Sequence, residues 1–246
     1  MNSLLIAIQL LTIFPIRTKF NFSARDFSAS LAYFPLVGLL IGLSCAAVNI
    51  LLGRFLPDAV ISIIIVLFMA FITGGMHSDG LADTVDGLGS TRSSEKMLEI
   101  MKDSRIGTMG VSGLFGSLAL KSALIYSMPA DFRNTSIILA MVISRWSMTL
   151  PLTFFNYARN DGKAKIFFEN ASKTNFALST IVALGIIVFY YFRPNGIYLV
   201  IIGAAASYLT AFYINKKIKG ITGDTLGAIN EIVEIVSFTL IYTLIR

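Results

Sequence analysis

What most constrains this chain is the recurrence of apolar runs about as long as a bilayer-crossing helix, which needs roughly 20 mostly apolar residues. Such runs fall near 30–52, 59–76, 107–128, 135–155, 175–191, 196–214 and 229–245, which predicts seven spans. Composition agrees: 55% of the residues are apolar, only 14% are charged, and mean hydropathy is +0.76. A soluble domain spends about a quarter of its positions on charge, so lipid is the simpler solvent for this surface. Several run ends are punctuated, by Pro57 before the second, Pro129 after the third, Pro151 near the end of the fourth and Pro194-Asn195-Gly196 between the fifth and sixth. The opening stretch, Met1 to Ile13, is apolar but too short to cross and has no basic residue ahead of it. It reads as an interfacial or re-entrant helix rather than a signal peptide. The expected fold is therefore an all-α, polytopic membrane bundle of about seven transmembrane helices plus this N-terminal helix. With no repeat and no polar linker, residues 1–246 read as a single membrane-embedded domain.

Charge placement gives the orientation. If the spans alternate, one side receives Arg17, Lys19, Arg25, Arg92, Lys96, Lys102, Arg105, Arg159, Lys163, Lys165, Lys173, Lys216, Lys217 and Lys219, and the other only Arg54, Arg133, Arg193 and Arg246. Basic residues in short loops mark the cytoplasmic side, so the N-terminus and the long loops are expected inside and the C-terminus outside. The net charge of +6 is spread over many loops rather than gathered on a stripe, which argues against nucleic acid. Lys121 and Arg145 fall inside predicted spans, where a charge needs a partner or a polar cavity. Glu231 and Glu234, at the start of the last span, are candidate partners. The single cysteine, Cys45, permits no disulfide framework or Cys-based metal cluster and reads as packing.

The most informative polar stretch runs from Gly74 to Gly87, directly after the second span. If it stays helical, Asp79, Asp83 and Asp86 stand at i, i+4 and i+7 and put three carboxylates on one face. Their mutual repulsion is relieved when a hard divalent cation bridges the oxygens, and Mg²⁺ suits one or two carboxylates plus a substrate phosphate. The bland reading is a polar loop with an aspartate cap and glycine turns. It accounts well for one aspartate and poorly for the whole set. His77, the only histidine, excludes a His-rich zinc site and is suited to metal binding, proton transfer or simple hydrogen bonding. The same loop, about 74–110 in all, continues through Lys102, Asp103 and Arg105, adding a fourth carboxylate and two phosphate-binding charges. Two more patches on the same side, Tyr157 to Gly162 with Arg159 and Asp161, and Gly220 to Ala228 with Thr222 and Asp224, are placed to meet it at the membrane surface.

At these residues the chain resembles the cobalamin synthase family, the adenosylcobinamide-GDP ribazoletransferases of vitamin B12 assembly. The resemblance runs through Phe34-Pro35-Leu36-Val37-Gly38, Gly74 to Gly87, Met101 to Gly110, Ser144-Arg145-Trp146, Tyr157 to Gly162, and Thr222 to Ala228 with Glu231. It implies a multi-pass enzyme of a bacterial or archaeal cytoplasmic (inner) membrane that uses Mg²⁺ to join adenosylcobinamide-GDP to alpha-ribazole or its 5'-phosphate and release GMP. His77, Asp79, Asp83, Asp86, Asp103, Arg105 and Arg159 are then the expected catalytic residues, with Asp79, Asp83, Asp86 and Asp103 as metal ligands. Lys102, Arg145, Asp161, Thr222, Asp224 and Glu231 are expected as the cofactor-binding residues. Its partners would be these substrates and the lipid bilayer, with room for a homo-oligomer or a complex with other corrinoid-pathway enzymes.

Two other readings share features with this one. CDP-alcohol phosphatidyltransferases also use a helix-borne aspartate set, but in Asp79-Gly80-Leu81-Ala82 the next residue is Asp83, so the Ala-Arg pair of that signature is missing. A membrane transporter would also have many spans and intramembrane charges, yet the acids and glycine-bearing patches cluster on one face, which favours chemistry over alternating access.

Overall fold

The computed structural model describes residues 2–14, 23–90, 93–191 and 195–245. Arg17, Lys19, Arg92, Arg193, Pro194 and Arg246 of the charge and turn reading lie outside these residues. The elements are α1 (Asn2–Leu11), α2 (Ala24–Ser30), which passes through a 3₁₀ turn into α3 (Phe34–Leu52), then α4 (Asp58–Ile72), α5 (Met76–Gly89), α6 (Ser94–Ile100), α7 (Thr108–Ser127), α8 (Ala130–Phe154), α9 (Lys165–Asn170), α10 (Lys173–Tyr190), α11 (Gly196–Ile218) and α12 (Gly223–Ile245). Six stretches are long and apolar enough to cross a membrane: 24–52, α7, α8, α10, α11 and α12. The pair α4 and α5, bent by 89° at its break, makes a seventh if counted as one span. The protein is thus an all-α polytopic membrane bundle, with α1 as a short apolar helix beside it.

The second span differs from its sequence expectation, ending at Ile72 rather than Met76. Gly74 and Gly75 both take left-handed backbone angles, φ +63° and +72°, a region that residues with a Cβ enter only at a cost. Two such residues in a row turn the chain through a right angle, so α5 lies across one end of the bundle instead of extending α4. The last span also starts earlier than expected: the stretch Gly223 to Ala228 forms the first turns of α12. Thr222 supplies the cap, its Oγ1 accepting from the Thr225 N–H at 3.2 Å while the Thr222 N–H donates to Thr225 Oγ1 at 2.8 Å.

α8 is the hub, buried along nearly its whole length from Ser136 to Leu152. α3 docks against it through Gly38 and Gly42, a small-xxx-small pair that lets two backbones approach closely. A methyl group on Gly42 would lie 2.7 Å from the Ile138 Cα, and one on Gly38 would overlap the Met141 carbonyl. The outward faces carry Leu40, Ile63, Leu67, Phe115, Ile181, Phe189, Ile201 and Leu209, all exposed. This apolar belt fits hydrocarbon rather than water. At the end of the bundle away from α5, Arg133 donates two hydrogen bonds to Asp58, at 2.7 and 3.0 Å, joining the starts of α8 and α4.

Candidate functional site

α5 presents two faces. His77, Ser78, Gly80, Leu81, Ala82, Thr84 and Gly87 are buried against neighbouring helices, while Asp79 is exposed and Asp83 and Asp86 are half-buried on the opposite face. The contact with α12 is close because both helices carry glycine where they cross. A methyl group on Gly80 would lie 2.5 Å from the Asp224 carbonyl oxygen, and one on Gly227 would lie 3.1 Å from the His77 Cα. This approach brings Asp224, in the first turn of α12, beside the aspartates of α5.

The fourth partner comes from the loop after α8. Tyr157 and Ile221 form an isolated parallel bridge, with the Ala158 N–H donating to the Ile221 carbonyl and the Ile221 N–H to the Asn156 carbonyl, both at 2.9 Å. The bridge holds Arg159 against α12, where its Nη2 is 2.8 Å from Asp224 Oδ2, an ion pair at an angle too poor for a hydrogen bond. Burial, and then the charges of Asp79 and Asp224, push the Asp83 carboxyl up to about 7; Arg159 opposes this and Asp86 adds to it. The cluster is therefore short of positive charge. Its donors are all carboxylate oxygens, as a hard divalent cation prefers, so the chemistry of the set fits Mg²⁺. Among the described residues, no three His, Cys, Asp or Glu side chains converge closely enough to hold a metal ion as they stand.

The other expected site residues have separate places. Asp86 accepts from the N–H groups of Gly107 and Gly110, both at 2.7 Å, and so caps the N-terminus of α7. Asp103 and Arg105 satisfy each other in an exposed turn through hydrogen bonds of 2.8 to 3.1 Å, which hold the Asp103 carboxyl down to about 2. Lys102 stands 3.7 Å from Asp161 across a shallow polar hollow of about 390 Å³, which Glu95, Glu99, Arg159 and Asn160 also line. Thr222 is occupied as the cap of α12.

Arg145 and Glu231 belong to a buried ion network beneath α5. Lys121 Nζ donates to Glu231 and Glu234, each at 2.8 Å, and Arg145 pairs with Glu234. Glu231 also accepts from Ser117 at 2.6 Å and from Ser78 of α5 at 3.2 Å. Two cations and two carboxylates leave the cluster neutral, the condition under which such groups persist inside a membrane. The network ties α5, α7, α8 and α12 together below the aspartate face and does not line the cavity beside it.

That cavity, of about 340 Å³, lies between α1, α3, α5, α8, α9 and α12. Its rim carries Asp79, Arg159, Lys163 and Asp224, whereas its floor is formed by Leu11, Phe34, Met148, Leu152 and Phe167, all buried. His77 is on its wall, 2% exposed, with Nε2 buried and without a hydrogen-bond partner. The sequence marks Lys163 only as one of the basic loop residues, and of the floor it marks only Phe34, within the family resemblance. The floor residues look like any other apolar residues of a span, and only the packing of distant helices distinguishes them.

The profile of the cobalamin-5-phosphate synthase family matches residues 3–242 of this chain. Among curated proteins, an adenosylcobinamide-GDP ribazoletransferase of Desulforamulus reducens is 36% identical over 233 residues, covering 95% of this chain and 93% of that protein. One of Clostridium botulinum (strain 657 / Type Ba4) is 39% identical, covering 98% and 97%, and one of Thermoanaerobacter pseudethanolicus is 33% identical, covering 94% and 93%. No solved structure matches the chain.

Proposed function

We propose, from the premise that this chain belongs to the cobalamin-5-phosphate synthase family, that it is an Mg²⁺-dependent adenosylcobinamide-GDP ribazoletransferase acting on alpha-ribazole or its 5'-phosphate. The observation that carries the reading is the placing of Asp79, Asp224 and Arg159 on the rim of a nucleoside-sized cavity, with Asp83 close enough to feel the charges of all three. A hydroxyl oxygen of the ribazole attacks the phosphorus bonded to the cobinamide. The P–O bond to the GMP phosphate breaks, and GMP leaves with the electron pair.

Asp79, Asp83 and Asp224 would hold Mg²⁺, which when bound supplies charge stabilisation for a diphosphate and its leaving group. Arg159, beside Asp224, offsets phosphate charge. A rim carboxylate receives the proton of the attacking hydroxyl. Asp86 acts one step back, by anchoring the N-terminus of α7. The aspartate end of the bundle faces the cytoplasm of a bacterial or archaeal cell, in keeping with the basic residues at that end.

The test is incubation of the purified protein in liposomes with adenosylcobinamide-GDP, alpha-ribazole and Mg²⁺. The expected outcome is metal-dependent release of GMP in step with a joined corrinoid. Absence of both products from well-folded protein would overturn the reading, and consumption of a CDP-activated lipid instead would move the chain to the phosphatidyltransferase chemistry.

A further inference from the structure

We infer that the cavity under the rim of Asp79, Arg159 and Asp224 is the subsite of the nucleoside acceptor, with its aromatic base on the apolar floor and its ribose at the rim. This rests on the proposed transferase activity, which supplies one small nucleoside and one large corrinoid nucleotide as the two substrates.

Size makes the first division. About 340 Å³ is at the low end of small-molecule sites. It accommodates a nucleoside but not a corrin macrocycle with its adenosyl ligand. The corrinoid therefore stays outside the cavity and offers only its phosphate to the rim.

Chemistry makes the second division, between the ribazole base and the guanine of the donor, which are similar in size. The floor consists of Leu11, Phe34, Met148, Leu152 and Phe167, all buried and apolar, and offers no side-chain N–H or O–H to a base. Guanine carries several hydrogen-bonding groups along its edge, and burying them against this floor would leave most of them unpaired, each at a desolvation cost. A dimethylated benzimidazole has an apolar edge and a single free ring nitrogen once joined to ribose, so the floor suits it. Guanine is better matched by the hollow on the other side of Arg159, whose Glu95, Glu99 and Asp161 carboxylates accept hydrogen bonds. Arg159 lines both spaces, so a phosphate lying beside it is within reach of each.

Alpha-ribazole binding is measured by calorimetry on the purified full-length protein, without donor, for the wild type, the floor variant Leu152→Trp and the rim variant Ala164→Phe. Kinetics follow for both substrates. The expected result is binding weakened about tenfold or more in each variant, from loss of the space itself. The KM for alpha-ribazole should rise in parallel, while that for adenosylcobinamide-GDP stays within about twofold. Ala164→Phe keeps the comparison meaningful if Leu152→Trp does not fold. Unchanged alpha-ribazole binding in the folded variants, displacement of alpha-ribazole by GMP, or a rise confined to the donor's KM would each overturn the inference while leaving the transferase reading intact. A wild type that binds alpha-ribazole with no turnover would support the subsite and defeat the transferase reading; one that does not bind it at all would defeat the subsite.

Discussion

Asp83 ties the candidate site to pH. Its folded carboxyl titrates near 7, above the ordinary carboxylate range, because burial and the charges of Asp79 and Asp224 disfavour its ionised form. The folded state therefore holds this proton more tightly than the unfolded chain does, and the metal-free protein should lose stability as pH rises from about 4 to about 7. Mg²⁺ held as proposed would compete with the same proton, so metal affinity should rise with pH up to about 7 and then level off. Melting curves of the detergent-solubilised protein, with and without Mg²⁺ across this range, check both slopes. Asp83→Asn should abolish the metal-free slope and lower turnover about 10²-fold or more, with little change in yield. Asp86 is expected to behave differently, because its carboxylate holds the Gly107 and Gly110 N–H groups. Asp86→Ala should lower stability by about 1 kcal/mol through loss of the α7 cap, and equal stability alongside lost turnover would instead make it a direct ligand. The sequence places Asp79, Asp83 and Asp86 on one helical face because their spacing is local. It is silent on the partner of each, since Gly107 and Asp224 reach α5 only through the fold.

At the level of elements, the site depends on the right-angle turn and the close crossing of α5 over α12. Gly75 and Gly80 separate these contributions. A methyl group on Gly75 meets nothing within 4 Å, so Gly75→Ala is expected to add only backbone strain, about 1–2 kcal/mol, at its φ of +72°. Gly80→Ala places its methyl against the Asp224 carbonyl and should lever α5 away from α12, reducing turnover far more than it reduces thermal stability. Parallel activity and melting measurements on the two variants distinguish strain from displacement, and equal loss of turnover per degree of melting would contradict this division. The glycine pair was legible in the sequence as a turn signal. Its angle was not, because hydropathy continues smoothly to Met76 while the backbone turns at Gly74 and Gly75.

For the whole molecule, the apolar runs and the basic loops carry most of the architecture. Composition and run length are properties of the chain alone, and the bilayer turns them into spans with little help from long-range contacts. The N-terminus and C-terminus are expected on opposite sides, inside and outside. Cysteine labelling at Asn2 and Thr243 in intact cells and inverted vesicles checks this, and labelling of both from one side would contradict it. The buried network of Lys121, Arg145, Glu231 and Glu234 was half visible, as charges in need of partners whose pairing only the bundle fixes. Leu10 and Leu11 of α1 help wall the cavity, and the Ile13 N–H bonds the Ile72 carbonyl at 2.9 Å beside the turn into α5. α12 begins at this cavity and runs 23 residues away from it, roughly 33 Å of helix. The two chain ends are thus unequal places to attach a purification handle: a bulky fusion ahead of α1 pulls on the wall of the acceptor space, whereas one after α12 hangs from the opposite end of the bundle.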